Sequence, residues 1–185
     1  MDRVHGFTVV ELMMAVAILG ILTLIALPNF ENQVRRSAIN KVQEDLYADL
    51  VFARSESIAR GRHVSICAVS DPEADLPSCS SSEDDWNKGW MVFTDSNHDG
   101  DVDAAVNYTP ADEYLRLYTN SNKDQMTLST DKTAITYSSR GMLKTTTGST
   151  LTFCDKKASY SDALVISPGT GRVRYDVDGG ASCSS

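Results

Sequence analysis

The chain has 185 residues, 42% of them hydrophobic and 23% charged, which is room for one domain of ordinary size beyond an N-terminal anchor. Its formal net charge of -8 excludes a surface that attracts nucleic acid or anionic lipid over its whole extent. Any contact with DNA must therefore be local.

The first element is an apolar run from Phe7 to Leu27 that carries one charged side chain, Glu11. As a helix its 21 residues span about 30 Å, because each residue rises about 1.5 Å, and that length crosses a bilayer. A lone charge near the bilayer core costs about 3 kcal/mol, so an acidic residue there predicts a function and a partner. The obvious partner is an amine, whose positive charge favours the ionised carboxylate.

The residues around this run resemble the type III prepilin signal of type IV pilins and secretion pseudopilins. The resemblance rests on Gly6 before Phe7, on Glu11 at the fifth position after Gly6, on Gly20 within the run and on Pro28 just beyond it. It implies that a prepilin peptidase cuts between Gly6 and Phe7 and methylates the new amine. It also implies that an inner-membrane assembly platform draws the helix from the inner membrane into a filament core.

An ordinary secretory signal and a plain single-span anchor are the alternative interpretations of this segment. A secretory signal has its cleavage site after an apolar stretch of about 7 to 15 residues. Here the cleavage site, after Gly6, comes before the apolar stretch. The order favours the prepilin signal, and Glu11, Gly20 and Pro28 are then the predicted residues of subunit assembly.

From Pro28 onward the apolar side chains recur at helical spacing, which predicts an amphipathic helix that ends at about Arg60, with Gly61 as the stop. Pro28 is expected to bend the helix without ending it. The predicted stripe that packs on the head consists of Phe30, Val34, Ala38, Val42, Leu46, Leu50 and Ala53. The predicted polar side consists of Gln33, Arg36, Asn40, Glu44 and Arg54, with Asp45 and Asp49 at the margin of the stripe.

After Gly61 the period shortens and turn residues separate short segments typical of strands. The predicted strands are His63–Val69, Trp90–Thr94, Tyr114–Tyr118, Ala134–Ser138, Thr150–Cys154, Ala163–Ser167 and Arg172–Val177. This pattern predicts an α+β fold, in which one long N-terminal helix packs on a β-rich head of antiparallel sheets. The domain organisation is then a leader (1–6), a membrane and filament-core helix (7–28), an amphipathic helix (29–61) and the head (62–185). The polar stretch 70–87 is a candidate contact loop.

All four cysteines lie downstream of the apolar run, at Cys67, Cys79, Cys154 and Cys183. Their spacing does not fit a zinc site, so disulfides in an oxidising compartment are the better explanation. Three pairings are possible, and proximity in sequence favours Cys67 with Cys79 and Cys154 with Cys183. The head is therefore expected in the periplasm.

Further motifs resemble the GspH/FimT/FimU group of minor pilins. They are Ala53 to Gly61, Trp86 to Phe93, Asp95 to Asp103, Ser139 to Gly141 and Gly171 to Arg174. The resemblance implies a minor pilin that assembles with other minor pilins and the major pilin in a priming or tip complex. It implies a single-pass inner-membrane protein with a periplasmic head that later enters the pilus fibre. The alternatives are a DNA-binding minor pilin for natural transformation and a minor pseudopilin of type II secretion.

The stretch Asp95 to Asp103 places oxygen side chains at alternate positions, at Asp95, Asn97, Asp99, Asp101 and Asp103, with Gly100 sixth. This is the spacing of a calcium loop, and Ca²⁺ is the one cofactor that the sequence suggests. Val106 at the twelfth position cannot supply the usual carboxylate. The alternative is a tight turn in which the Asp and Asn side chains bond to their own backbone.

Arg172 and Arg174 are two residues apart on a predicted strand, so both side chains project from one face, with Tyr175 on the other. Such a pair can clamp phosphate, and the tail Gly171–Arg174 resembles the Gly-Arg-x-Arg tail that is associated with DNA capture in FimT-type pilins. The alternative is a solvated edge strand. Apart from His5 in the leader, the only histidines are His63 and His98, and the chain lacks nucleophile-elbow and phosphate-loop motifs, so we expect no catalytic residues.

Overall fold

The computed structural model describes residues 7–102, 112–157, 160–176 and 183, and for residues 24–31 it describes the backbone alone. The chain divides into two compact units, Met1–Ser37 and Ala38–Ser185. One helix, α1 (Val9–Arg60), contributes residues to both units. It continues through Pro28, whose side chain is outside the described residues.

The end of α1 is fixed by a glycine, as the sequence predicts. Gly61 has a φ of 63°, which is the left-handed conformation that glycine adopts without strain. Its N–H donates to the Ile58 carbonyl, and the N–H of Arg62 donates to the Ser57 carbonyl. These two bonds form a Schellman motif, which satisfies carbonyls that the helix leaves free.

Eight strands form the described part of the head, in two antiparallel sheets of four. The first sheet has the order β3-β2-β1-β5 and the second the order β4-β6-β7-β8. The strands are β1 (Val64–Ala68), β2 (Gly89–Thr94), β3 (Tyr114–Thr119), β4 (Met126–Ser129), β5 (Ala134–Tyr137), β6 (Ser149–Asp155), β7 (Ser161–Ile166) and β8 (Val173–Tyr175), and a short 3₁₀ helix spans Glu83–Asn87. The predicted α+β fold with antiparallel sheets is confirmed.

One apolar core joins α1 to both sheets. Its largest fully buried side chains include Trp86, Trp90, Tyr137 and Phe153. The helix contributes Ile39, Val42, Leu46, Leu50 and Ala53, so the predicted stripe is confirmed from Val42 onward, with Ile39 as an addition. Val34 is exposed, and Phe30 is outside the described side chains.

A second, smaller apolar cluster covers the other face of the first sheet. It consists of Cys67, Val69, Met91 and Phe93, with Cys79, Val102 and Ala134 packed against it. Both faces of β1 and β2 are therefore buried, which explains why these strands are apolar at nearly every position.

A buried carboxylate holds α1 against the first sheet. Asp49 is 7% exposed and accepts a hydrogen bond of 2.8 Å from Trp90 Nε1 and another of 2.8 Å from Arg116 Nη1. The Arg116 guanidinium also lies 3.7 Å from the centre of the Phe52 ring. A neutral N–H and a guanidinium thus satisfy one buried charge, as burial of a carboxylate requires.

Candidate functional site

The described part of the first unit presents apolar side chains to its surroundings. Phe7 is 86% exposed. The other large apolar side chains exposed there are Val9, Val10, Leu12, Met13, Met14, Val16, Ile18, Leu19, Ile21 and Leu22. A helix that is apolar all round belongs in a bilayer or in a protein assembly.

Two predicted features of this segment extend past what the structure describes. Among the described residues, no helix is both long enough and apolar enough to cross a membrane. The predicted span Phe7–Leu27 includes residues 24–27, whose side chains are outside the described part of the chain. Gly6, on the other side of the predicted cleavage site, is also outside it.

Glu11 lies in the first turn of α1, two residues after Val9, where the helix begins. Its backbone N–H donates to Thr8 Oγ1 over 3.2 Å, and the Leu12 N–H donates to the Thr8 carbonyl. Thr8 is therefore the N-cap and Glu11 the third helical residue, the spacing of a capping box. This cap was not predicted from the sequence, although Thr-x-x-Glu before an apolar run is the usual signal of a capping box. The observed bond involves the backbone N–H of Glu11, while the pairing role of its carboxylate stays a prediction.

Gly20 is the other predicted assembly residue whose surroundings are described. Among the described residues, and apart from the glycine, its two neighbours and the adjacent helix backbone, no atom lies within 4 Å of the position that a β-carbon would take. Thr23 Oγ1 donates to the Gly20 carbonyl over 2.8 Å. The glycine thus leaves an open notch on the helix surface, of the kind that lets a second helix approach closely.

Both disulfides are present, in the pairing that sequence proximity favours. Cys67 pairs with Cys79, and Cys154 pairs with Cys183. The first disulfide closes the loop after β1, where the backbones of Val69 and Cys79 also form an isolated antiparallel β-bridge. The second holds the chain near its C-terminus to the end of β6.

The predicted calcium loop forms a series of turns that its own side chains stabilise. The Asp99 N–H donates to Asn97 Oδ1 over 3.1 Å, the Asp101 N–H donates to Asp99 Oδ1 over 2.8 Å, and Asn97 Nδ2 donates to Asp99 Oδ2. These bonds match the tight-turn alternative. Within the described part of the chain, no group of three or more His, Cys, Asp or Glu side chains could hold a metal ion, and Asp103 is outside that part. Calcium binding stays a prediction, which calorimetry at millimolar calcium would test.

Asp95 differs from its neighbours because it is buried, with 1% of its surface exposed. Its Oδ2 accepts hydrogen bonds from Ser65 Oγ over 2.6 Å and from the Gly100 N–H over 3.0 Å. Ser65 Oγ also lies 2.7 Å from Thr136 Oγ1. The start of the loop is thus fastened to β1 and β5, which assigns Asp95 a structural role that the periodicity of the sequence does not reveal.

His63 and His98 are in ring contact next to this loop, with ring centres 3.5 Å apart. Burial, with a smaller contribution from the charge of His98, lowers the pKa of His63 below its ordinary value of 6.5. His98 has a φ of 67°, and Lys144 Nζ donates to its carbonyl. Both histidines line one cavity together with Ser96, and the absence of catalytic residues stays a prediction.

The two arginines of the tail lie on and beside the edge strand β8. Both are exposed, and Arg174 pairs in register with Val165 of β7. Tyr175 faces the other way and stacks on Tyr47 of α1, with ring centres 5.0 Å apart. The predicted alternation of this strand is therefore present, while DNA binding stays a prediction.

Two family models match the chain. The model described as "Type II transport protein GspH" matches residues 43–171, and the "Prokaryotic N-terminal methylation motif" matches residues 1–27. The first covers most of the head, and the second covers the segment that holds Glu11.

Individual relatives agree with these models. A fimbrial protein of Pseudomonas aeruginosa is 31% identical over 104 residues, which is 56% of this chain and 67% of that protein. A probable minor fimbrial protein of Dichelobacter nodosus is 50% identical over 42 residues, but these are 23% of this chain and 26% of that protein. The crystal structure of the type IV minor pilin FimU of P. aeruginosa covers 80% of this chain and 97% of its own, with a TM-score of 0.57 and 23% identity, which is a likeness of fold. The chain therefore belongs to the GspH family, within the type IV pilins and pseudopilins that carry the N-terminal methylation motif.

Proposed function

We propose that this protein is a minor pilin of a type IV pilus that joins other minor pilins in a complex that primes or caps the filament. The observation that carries the proposal is Glu11, the one acidic side chain on a helix segment that is otherwise apolar and exposed. Such a carboxylate is costly in lipid unless a positive charge meets it.

The proposed partner of Glu11 is the methylated amine of Phe7 in the preceding or following subunit. Cleavage after Gly6 would create this amine at the start of the same apolar segment. Lipid does not drive helices together by the hydrophobic effect, so packing and specific polar contacts decide how they associate. One charge pair would then fix the register between neighbouring helices, and the open notch at Gly20 would let them approach.

The test must separate the pairing role of the Glu11 carboxylate from the helix cap that Thr8 forms. Glu11→Gln retains a side chain that suits the capping box but removes the charge, whereas Thr8→Ala removes the cap and retains the charge. We expect Glu11→Gln, like Glu11→Ala, to insert in membranes and fail to enter filaments, and Thr8→Ala to enter them. Immunoblots of sheared pili and of membrane fractions give, for each variant, the share of the protein that has entered filaments. Wild-type incorporation of Glu11→Gln would falsify the pairing role.

Pilins and pseudopilins are structural subunits rather than enzymes, and they are anchored in the membrane before they enter a filament. The partners proposed for this chain are a prepilin peptidase, an inner-membrane assembly platform, other minor pilins and the major pilin. A role in type II secretion is the nearest alternative, because the matching family model is named for that system. Deletion of the gene distinguishes a role in the pilus from a role in secretion. The proposal requires that the deletion strain loses its pili and still secretes its enzymes.

A second candidate function is DNA capture, which the exposure of Arg172 and Arg174 beside one another favours. A gel-shift titration would compare Arg172→Ala/Arg174→Ala with Lys156→Ala/Lys157→Ala, which removes the same charge from another exposed site. Loss of two phosphate contacts should lower the slope of log affinity against log salt by about 2. Equal affinities and slopes for the two double variants would exclude a specific role for the arginine pair.

A further inference from the structure

The chain closes two of its sheet edges with its own polar groups. Along β4, the Asn87 side chain takes the place of a neighbouring strand, because its Oδ1 accepts from the Leu128 N–H and its Nδ2 donates to the Leu128 carbonyl. Along β5, the Lys144 N–H donates to the Thr136 carbonyl, so the chain that follows the strand folds back beside it. Both arrangements occupy backbone groups that would otherwise be free to pair with another strand.

The outer edge of β3 is open instead. Along a strand, successive residues direct their backbone groups to opposite sides. The Asn120 N–H donates to the Lys88 carbonyl on the β2 side, and the residues of β3 before it alternate from there. Leu117 and Thr119 therefore direct their N–H and carbonyl groups away from β2. Within the described residues, no hydrogen bond reaches these outward groups.

β3 also lacks the features that usually protect an open edge, which are lysine, proline and a bulge along the strand. Its six residues, Tyr114–Thr119, include neither lysine nor proline. Its one charge, on Arg116, is paired with Asp49 at 2.8 Å. A bulge distorts the pairing with β2 only before Arg116, and Leu117 beyond it is 46% exposed. The end of β3 is therefore a regular template for an added strand, and we call residues 116–119 the open edge.

An acidic loop lies beside the open edge. Tyr114 Oη donates to the Pro77 carbonyl over 3.0 Å, which holds this loop against β3. Leu117 lies on the same face of the sheet as the loop, because its partner in β2, Met91, belongs to the small cluster against which Cys79 packs. The exposed carboxylates of the loop are Asp71, Glu73 and Asp75. None of these three is in an ion pair within the described part of the chain, so their charges are available to a partner.

We infer that the open edge accepts an extended segment of a partner protein as an added strand, and that this segment alternates basic and apolar residues. The outward groups of Leu117 and Thr119 would bond to its backbone, which is the usual mode of strand addition. Side chains of the added strand would alternate between the two faces of the sheet. On the loop face, basic side chains would cover Leu117 with their aliphatic stems and reach Asp75 with their charged ends. On the helix face, apolar side chains would lie beside Tyr118.

Charge selects such a partner over a second copy of this chain. Residues 64–87 contain six acidic residues and no lysine or arginine, so this part of the surface attracts cations. β3 of a second copy would bring only Arg116, with which Asp49 is already paired. The added strand involves the head alone, and it therefore goes beyond the pairing of Glu11.

Binding of a labelled peptide to the full-length protein in nonionic detergent micelles tests the inference. The probe is a short peptide of alternating lysine and valine. One control peptide carries N-methyl groups on two adjacent backbone nitrogens, which blocks both edges of its strand, and another carries glutamate in place of lysine. We expect both control peptides to bind at least about tenfold more weakly than the probe, because the first loses hydrogen bonds and the second loses its charge match.

Variants of the protein separate the backbone contact from general attraction by charge. Thr119→Pro removes an N–H that makes no bond within the described residues, so the edge should tolerate it and the probe should bind about tenfold more weakly. Glu73→Lys/Asp75→Lys should also weaken binding about tenfold. Glu83→Lys/Asp84→Lys makes the same change of charge at other exposed residues, of which Glu83 lines a cavity beside β5, and should change the affinity by less than about twofold.

Amide hydrogen exchange followed by NMR locates the bound peptide. In the free protein, the amides of Leu117 and Thr119 should exchange quickly, while that of Tyr118, which faces β2, should be protected. Saturating probe should slow the exchange at Leu117 and Thr119. Unchanged exchange at both amides, or equal affinity for the N-methylated peptide, would overturn the inference.

A second copy on the open edge would give a different result. Both amides would then be protected in the free protein and lose that protection on dilution, and this outcome would also overturn the inference. Glu11→Gln should bind the probe as the wild type does, which separates a failure of strand addition from a failure of the proposed assembly role.

Discussion

Replacing Asp49 by alanine measures how firmly the helix is fastened to the head. The change leaves Trp90 Nε1 without its acceptor, and Trp90 is fully buried, so an unsatisfied donor costs about 1–3 kcal/mol. The Arg116 side chain is 46% exposed, so loss of its ion pair adds at most about 1 kcal/mol. We expect a total loss of about 2–3 kcal/mol in the free energy of unfolding.

Thermal unfolding of the full chain in detergent, followed by circular dichroism, is the assay. A loss of this size lowers Tm by about 5–10 °C for a domain of about 150 residues. Asp49→Asn keeps an acceptor for Trp90 and should lose about 1 kcal/mol, because an amide oxygen replaces a carboxylate. The exposed Asp75→Ala is the control and should change the free energy of unfolding by less than about 0.5 kcal/mol.

A double-mutant cycle isolates the hydrogen bond from the rest of the change. In a Trp90→Phe background the donor is already gone, so Asp49→Ala should cost less than about 1 kcal/mol there. If Asp49→Ala costs the same in both backgrounds, or no more than Asp75→Ala, the bond does not fasten the helix and this reasoning is wrong.

Three further predictions concern the stability of the head. The pKa of His63 is lowered in the folded chain, so the unfolded chain binds its proton first and the free energy of unfolding should fall as pH drops below about 6.5; His63→Asn should remove this slope in urea titrations between pH 7.5 and 5.5. Cys154→Ser/Cys183→Ser opens a loop of 29 residues and should cost about 3.5 kcal/mol in the free energy of unfolding. Gly89→Ala would place a β-carbon 2.2 Å from the Tyr118 carbonyl oxygen, so it should separate β2 from β3 and cost more than about 2 kcal/mol.

Each of these three predictions has a control or an outcome that would contradict it. An unchanged pH slope in His63→Asn would show that other groups govern stability in that range. Dithiothreitol should lower Tm less in the Cys154→Ser/Cys183→Ser chain than in the wild type, because one disulfide is already absent. Gly169→Ala, where no atom lies within 4 Å of the added carbon but φ is 68°, should cost only about 1 kcal/mol. Similar losses at Gly169 and Gly89 would contradict the role of the close approach.

Local patterns account for what the sequence predicted well. The helix end at Gly61 and all seven predicted strands are confirmed within one or two residues where the structure describes them, because each depends on spacing within a few positions. The strand β4 was missed, since Met126–Ser129 is only four residues with a single alternation. Arg54, placed on the polar side, is half-buried instead and donates to the Gly141 carbonyl over 2.8 Å.

Contacts between distant parts of the chain could not be predicted in the same way. Asp49 and Arg116 are separated by 67 positions, and Ser65 and Asp95 by 30, so no local spacing joins them. The two edges of the first sheet depend on strand order, which places β5 beside β1 although β2 to β4 intervene in the sequence. The N-terminal motif could be identified from the sequence, because its residues lie within one short segment.

The helix α1 carries two kinds of surface, and this division decides what a mutation should affect. The described large apolar side chains before Ser37 are exposed, whereas those from Ile39 to Ala53 that face the head are buried. A change at Glu11 therefore alters a surface that is completed only by lipid or another subunit, and should leave the thermal stability of the head unchanged. A change at Asp49 alters a contact within the head and should lower Tm before any filament forms. If Glu11→Gln lowered Tm as much as Asp49→Ala, the first turn of α1 would be a structural element of the head, and its exposed apolar surface would need another explanation.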